Sequence, residues 1–88
     1  MNTAYIYTQK DCEACIGVYE IIRESIEEQL NFIEIDIGTD PLAEIGIKLL
    51  TKGNELTVPI VVIPQKGIYL VSKNEPKQLV RLINLDVL

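Results

Sequence analysis

The sequence contains no histidine, and its only two cysteines are three positions apart. Without histidine there is no Ser–His–Asp triad, no Cys–His couple and no His-ligated metal centre. Long apolar runs are also missing. None approaches the roughly 20 residues a helix needs to cross a bilayer, so no membrane partner is expected. Basic charge is scarce: eight Lys and Arg face 13 Asp and Glu, for a net charge of −5. The basic residues are scattered among acids and form no stripe of the kind nucleic acid requires, so no nucleic-acid partner is expected either. Met1-Asn2-Thr3-Ala4-Tyr5 has no basic stretch leading into an apolar one, so a signal peptide is not expected and a cytoplasmic location is.

What is present suits one small packed domain over residues 1–88. Hydrophobic residues make up 48% of the chain, mostly Ile, Leu and Val in short runs between polar breaks, which argues against disorder. A domain of this length buries only about 60–65% of its unfolded surface, so the core must be efficient. The acids between Glu20 and Glu28 read as a solvated helix face. An acidic docking surface for a basic partner is the alternative.

Residues 3–8 are rich in β-formers and predict a strand. From Glu13 to about Leu30, Cys15, Val18, Tyr19, Ile22, Ile26 and Leu30 recur at spacings of three and four, the stripe of an amphipathic helix. Gly17 lies inside that helix at a cost near 1 kcal/mol relative to Ala. Phe32 to Ile37 alternates and predicts a second strand, parallel to the first. Asp40-Pro41 supplies an N-cap and a first helical residue for a helix to about Thr51, with Leu42, Ile45, Leu49 and Leu50 inward. Lys52-Gly53-Asn54 ends it.

Ile60 to Ile63 is wholly apolar, as a central strand would be. The turn Pro64-Gln65-Lys66-Gly67 then leads to a hairpin partner at Ile68 to Val71. A last helix opens at residues 72–76, capped either by Ser72 with Glu75 or by Asn74 with Pro76, and buries Leu79, Val80, Leu82, Ile83 and Val87. The expected order is β-α-β-α-β-β-α, an α/β fold with a four-stranded mixed sheet flanked by helices.

Cys12 and Cys15 carry the chemistry. Cytosolic thiols are kept reduced, which disfavours a structural disulfide. A cysteine where a strand ends and a helix begins faces unpaired N–H groups and the helix dipole, both of which favour a thiolate. A second cysteine one turn later can attack a mixed disulfide formed at the first. This spacing points to dithiol exchange, Cys12 attacking and Cys15 resolving. The competing readings are two incidental small residues at a helix start, or half of a zinc site completed by a second copy. One chain cannot supply four ligands, so no metal is expected. Asp11 and Glu13 oppose the thiolate, and Lys10 offsets part of that.

Ile6-Tyr7-Thr8, Cys12-Glu13-Ala14-Cys15 and Thr57-Val58-Pro59 before an apolar strand resemble the glutaredoxin branch of the thioredoxin fold. The element order extends this resemblance over the whole chain. It implies a thioredoxin-like domain, a cis Pro59 beside the cysteine pair, and substrate contacts from Lys10, Thr57, Val58 and Pro59. Val58 would offer its backbone to an extended substrate or to glutathione. It also implies a monomeric thiol–disulfide oxidoreductase that acts on disulfide-containing proteins and needs no resident cofactor. Three positions depart from the family pattern. The usual Gly-Gly is replaced within Leu70-Val71-Ser72-Lys73-Asn74, Glu13-Ala14 stands where Pro-Tyr is common, and Gln9 occupies the place of a lysine. Glutathione or a flavin-dependent reductase is the expected electron donor. A redox-inactive adaptor of the same fold and a glutathione-dependent glutaredoxin are the alternatives.

Overall fold

Thr3, Tyr5, Ile6, Tyr7 and Thr8 are β-branched or aromatic, and they fall in the first strand, β1 (Asn2–Thr8). The computed structural model describes residues 2–26, 29–50, 58–72, 74–75 and 77–85. After β1 come a single 3-10 turn (Glu13–Cys15), α1 (Val18–Ser25), β2 (Leu30–Asp36) and α2 (Pro41–Leu50). Three strands complete the order: β3 (Ile60–Ile63), β4 (Gly67–Val71) and β5 (Leu79–Asn84). They form one mixed sheet in the order β2-β1-β3-β4-β5. β1 and β2 are parallel, from Asn2 opposite Leu30 to Thr8 opposite Asp36. The β1–β3, β3–β4 and β4–β5 pairs are antiparallel.

Period-two alternation sends the two faces of this sheet into two cores. Ala4, Ile6, Val61, Ile63 and Tyr69 pack under Val18 and Ile22 of α1. Ile60, Val62 and Ile68 pack on the other side with Ile47 of α2. β3 is buried along its whole length because both its faces are covered. Each fully buried Ile or Val contributes about 1.5–3 kcal/mol relative to exposure, so these two clusters supply much of the driving force.

The structure corrects three expectations. The sheet has five strands, not four, because the expected last helix is strand β5. Leu79, Val80, Leu82 and Ile83 come in pairs that suit a helical stripe, and a strand with a bulge accommodates the same pairs. The register shifts at Ile68/Tyr69, so Ile68 faces Ile83 while Tyr69 faces Arg81. Half of the expected capping box forms, with the Glu75 amide donating to Ser72 Oγ at 3.1 Å, but it closes a turn. The Ser72 amide bonds back to the Gln78 carbonyl at 2.9 Å, which brings β5 alongside β4. Val87 lies outside the described residues.

The first helix is shorter than expected. Gly17 adopts φ 79°, a left-handed conformation that its missing side chain permits, and α1 starts only at Val18. It ends at Ser25, and Leu30 belongs to β2. The second helix is capped as expected, with Asp40 Oδ1 accepting from the Ala43 amide at 3.1 Å. It turns a different side to the sheet, however. Ile47 is buried, whereas Leu42, Ile45 and Leu49 are 81%, 55% and 74% exposed. Apolar residues ring most of this helix, so their spacing does not select a face. The Leu50 side chain and residues 51–54 lie outside the description.

Gly67 is where β5 approaches β4 most closely. A Cβ there would lie 2.5 Å from the Ile83 carbonyl oxygen and 3.2 Å from Arg81 Cγ. Gly67→Ala should therefore lower the unfolding free energy by about 1–3 kcal/mol in urea denaturation. A Cβ on Gly46 in α2 meets nothing within 4 Å, so Gly46→Ala should raise it by about 0.5–1 kcal/mol.

Candidate functional site

β1 stops at Thr8, whose carbonyl accepts the Ile37 amide at 2.9 Å and so ties the ends of β1 and β2 together. The chain leaves through Gln9, Lys10 and Asp11, the last in a left-handed conformation at φ 64°. Asp tolerates that region better than most residues. Cys12 follows with extended backbone and caps the 3-10 turn. It had been expected to open a long helix. The turn is only three residues, so its dipole is slight and local hydrogen bonds dominate at the sulfur.

Cys12 and Cys15 are joined by a disulfide across this turn, with Cα atoms 5.3 Å apart. The Cys15 amide donates to Cys12 Sγ at 3.1 Å and also reaches the Cys12 carbonyl at 3.2 Å. On the opposite side, Cys12 Sγ lies 3.7 Å from the Val58 carbonyl oxygen. The Val58–Pro59 peptide is cis, as the resemblance implied, and Pro59 is buried at the start of β3. Cys12, Cys15, Val58 and Pro59 therefore meet at one end of the sheet. Lys10 is exposed and lines the same cavity as both cysteines. Thr57 lies outside the described residues.

Two clefts flank the cysteine loop. One runs toward β2 and is lined by Asp11, Glu13, Tyr19, Glu34 and Asp36 along with Lys10. Thr8 is 6% exposed, and its hydroxyl donates to Glu34 Oε1 at 3.4 Å. Asp36 Oδ1 accepts the Gly38 amide at 2.8 Å. The other cleft is more apolar and runs from Ala14, Val58 and Pro59 toward Leu70, Val80 and Leu82. Tyr19, Glu34 and Asp36 join the site without having been expected there from the sequence. Their signal was the parallel β1–β2 register, which sets Asp36 beside Thr8 and Glu34 beside Ile6.

Among the described residues, no group of three or more His, Cys, Asp or Glu is arranged to hold a metal ion. Among them, too, no helix is long and apolar enough to cross a membrane. No family model, curated protein or solved structure matches this chain.

The Tyr19 ring packs edge-on against Phe32 with centroids 5.2 Å apart. Burial, and secondarily the charge of Glu34, push its phenol above the ordinary value of 10.0. Tyr7 is raised by burial first, then by Tyr5 and Asp40. A phenol whose folded pKa lies above its unfolded value contributes fully below the unfolded pKa. That contribution is lost as pH rises through the folded pKa. Stability should therefore fall with pH above about 10, and spectrophotometric titration should show the Tyr7 and Tyr19 phenolates forming above the ordinary value of 10.0.

Proposed function

We propose that this chain is a dithiol oxidoreductase that reduces disulfides of partner proteins through Cys12 and Cys15. The observation that carries the reading is the cysteine pair itself. It is bridged across one turn at the end of β1, half-buried, and set beside a cis-proline edge. The β2-β1-β3-β4 part of the sheet and the Val58–Pro59 edge support the likeness to the glutaredoxin branch of the thioredoxin fold.

The oxidised pair is the product state. In the reduced chain, the Cys12 thiolate attacks one sulfur of a substrate disulfide. A mixed disulfide forms at Cys12 and the other substrate sulfur leaves as a thiolate. Cys15, deprotonated, then attacks Cys12 Sγ. The Cys12–Cys15 bond forms, the second substrate thiolate is released, and two electrons have passed from the dithiol to the substrate. Cys12 is the better attacking group because the Cys15 amide already points at its sulfur, and a hydrogen bond to the charged form favours it. Val58 would pair its backbone with an extended substrate segment, Pro59 would shape the groove, and Lys10 would stand at its rim. A flavin-dependent reductase or glutathione restores the dithiol.

Cys12→Ser should abolish reduction of a model disulfide. Cys15→Ser should accumulate a mixed disulfide visible by mass spectrometry. Undiminished turnover without Cys12 would reject the mechanism.

One observation favours a second reading, a redox-inactive binding module. The Val58 carbonyl faces Cys12 Sγ at 3.7 Å, and Asp11 and Glu13 flank it, all of which disfavour a thiolate. Equilibration in thiol buffers separates the two. An oxidoreductase shows a reversible two-electron transition in the redoxin range, about −120 to −270 mV, and an adaptor shows none.

A further inference from the structure

The start of α1 is only partly buried, with Val18 covered between the exposed Gly17 and the half-buried Tyr19. Val18 is fully buried, yet neither its amide nor those of Gly17 and Tyr19 have an acceptor among the described residues. Gly17 at the N-cap supplies no side-chain cap. The first amides of any helix lack an intrahelical acceptor, and those of Gly17 and Tyr19 border an open cleft; the Val18 amide, buried and uncapped, is the costly one. The segment ahead of α1 also begins and ends on left-handed residues, Asp11 at φ 64° and Gly17 at φ 79°. Between them Cys12 is extended, Glu13 to Cys15 form a 3-10 turn, and Ile16 is extended again. The disulfide spans this interruption.

The residues of the same segment suit a continuous helix. Asp11 is a preferred N-cap and Glu13 an acid for the first turn, and Cys15 continues the Val18, Tyr19, Ile22 stripe. In the oxidised chain, however, the Asp11 side chain caps nothing among the described residues. A Cβ on Gly17 would meet nothing within 4 Å, so there is room to rewind.

We propose that the Cys12–Cys15 disulfide is a conformational switch. Its reduction extends α1 back through Cys12, with Asp11 as the new N-cap. The amides of Gly17, Val18 and Tyr19 then bond to the carbonyls of Glu13, Ala14 and Cys15. Reduction by dithiothreitol supplies two electrons and two protons, the S–S bond becomes two thiols, and dithiothreitol closes into its cyclic disulfide. The reduced state sets Cys12 in the first turn of a helix of about 14 residues, ending at Ser25, whose dipole favours the thiolate. Helix and thiolate therefore support one another, and a partner could distinguish the two redox states by the surface around residues 12–17.

This inference rests on the proposed reading only in needing an exchangeable disulfide. Its test is nuclear magnetic resonance of the whole chain before and after dithiothreitol. Residues 13–17 should acquire helical Cα shifts on reduction, and amide exchange at Gly17, Val18 and Tyr19 should slow by about tenfold or more. Equal shifts and exchange in both states would overturn the switch. The double variant Cys12→Ala with Cys15→Ala should match the reduced chain, and a match to the oxidised chain would overturn it equally. Gly17→Ala, which disfavours the left-handed state, should move the dithiol/disulfide ratio about fivefold toward dithiol at fixed dithiothreitol poise. An unchanged ratio would count against the coupling. A chain that switches but never turns over a disulfide keeps this inference and loses the proposed enzyme.

Discussion

Strand β1 has partners on both edges, parallel to β2 along its length and antiparallel to β3 near its end. Both cores are built on its two faces, so neither its register nor its end point can shift without exposing Ala4 and Ile6. Because it stops at Thr8, Cys12 falls at the rim of the sheet. Because β3 runs antiparallel beside it, the residues that start β3 arrive at the same rim. The Val58 carbonyl thus comes to lie 3.7 Å from Cys12 Sγ although 46 positions separate them in the chain. Parallel pairing adds Glu34 and Asp36 on the other flank. The chemistry of the site depends on this one strand.

Those neighbours pull Cys12 in opposite directions. The Cys15 amide, at 3.1 Å, stabilises negative charge on the sulfur. The Val58 carbonyl and the carboxylates of Asp11, Glu13, Glu34 and Asp36 oppose it, and Lys10 is the one cation among the described residues that line the cleft. The amide contact, at 3.1 Å, is shorter than the 3.7 Å approach of the Val58 carbonyl, and charges lining an open cleft are screened by salt over a Debye length of about 8–10 Å. Within the proposed function, the local donor therefore favours Cys12 as the attacking sulfur, and the surrounding charge opposes its thiolate. This balance fits a reductant better than a strong oxidant, whose very acidic thiol needs a positive surround.

Where one physical signal dominated, the sequence was legible. β1, β3 and the β3–β4 hairpin come from β-branched runs bounded by turn residues, and the Asp40 cap on α2 forms as its chemistry requires. The cysteine spacing and the Val58–Pro59 step pointed to the residues that meet at the rim. Misreadings arose where two periodicities share one pattern. Leu79-Val80 and Leu82-Ile83 satisfy a helical stripe or a bulged strand, and the unpaired edge of β4 selects the strand. Leu42, Ile45 and Leu49 alternate around a mostly apolar helix with Ile47, and only the tertiary fit buries Ile47. Gly17 was read as a tolerated helical glycine because a sequence does not reveal the sign of φ.

Strand β5 also bears on which electron donor the proposed function would use. In the glutaredoxin pattern, a Gly-Gly step followed by polar residues holds the far end of glutathione, and that requires exposed backbone groups. Here the corresponding stretch begins Leu70-Val71, and both residues are paired with β5, opposite Val80 and Leu79. The Ser72 amide is committed to the Gln78 carbonyl at 2.9 Å. Backbone donors and acceptors used by the ladder are not available to a tripeptide, and bulky side chains stand where glycines would let it approach. The neighbouring surface is instead an apolar groove that ends on Val80 and Leu82, 53% and 37% exposed. Within the proposed function, a broad surface of this kind suits a protein donor or a protein substrate better than glutathione. Had the C-terminal segment folded as a helix, those backbone groups would have been released from pairing, so within the proposed function the strand that completes the sheet disfavours glutathione as the reductant.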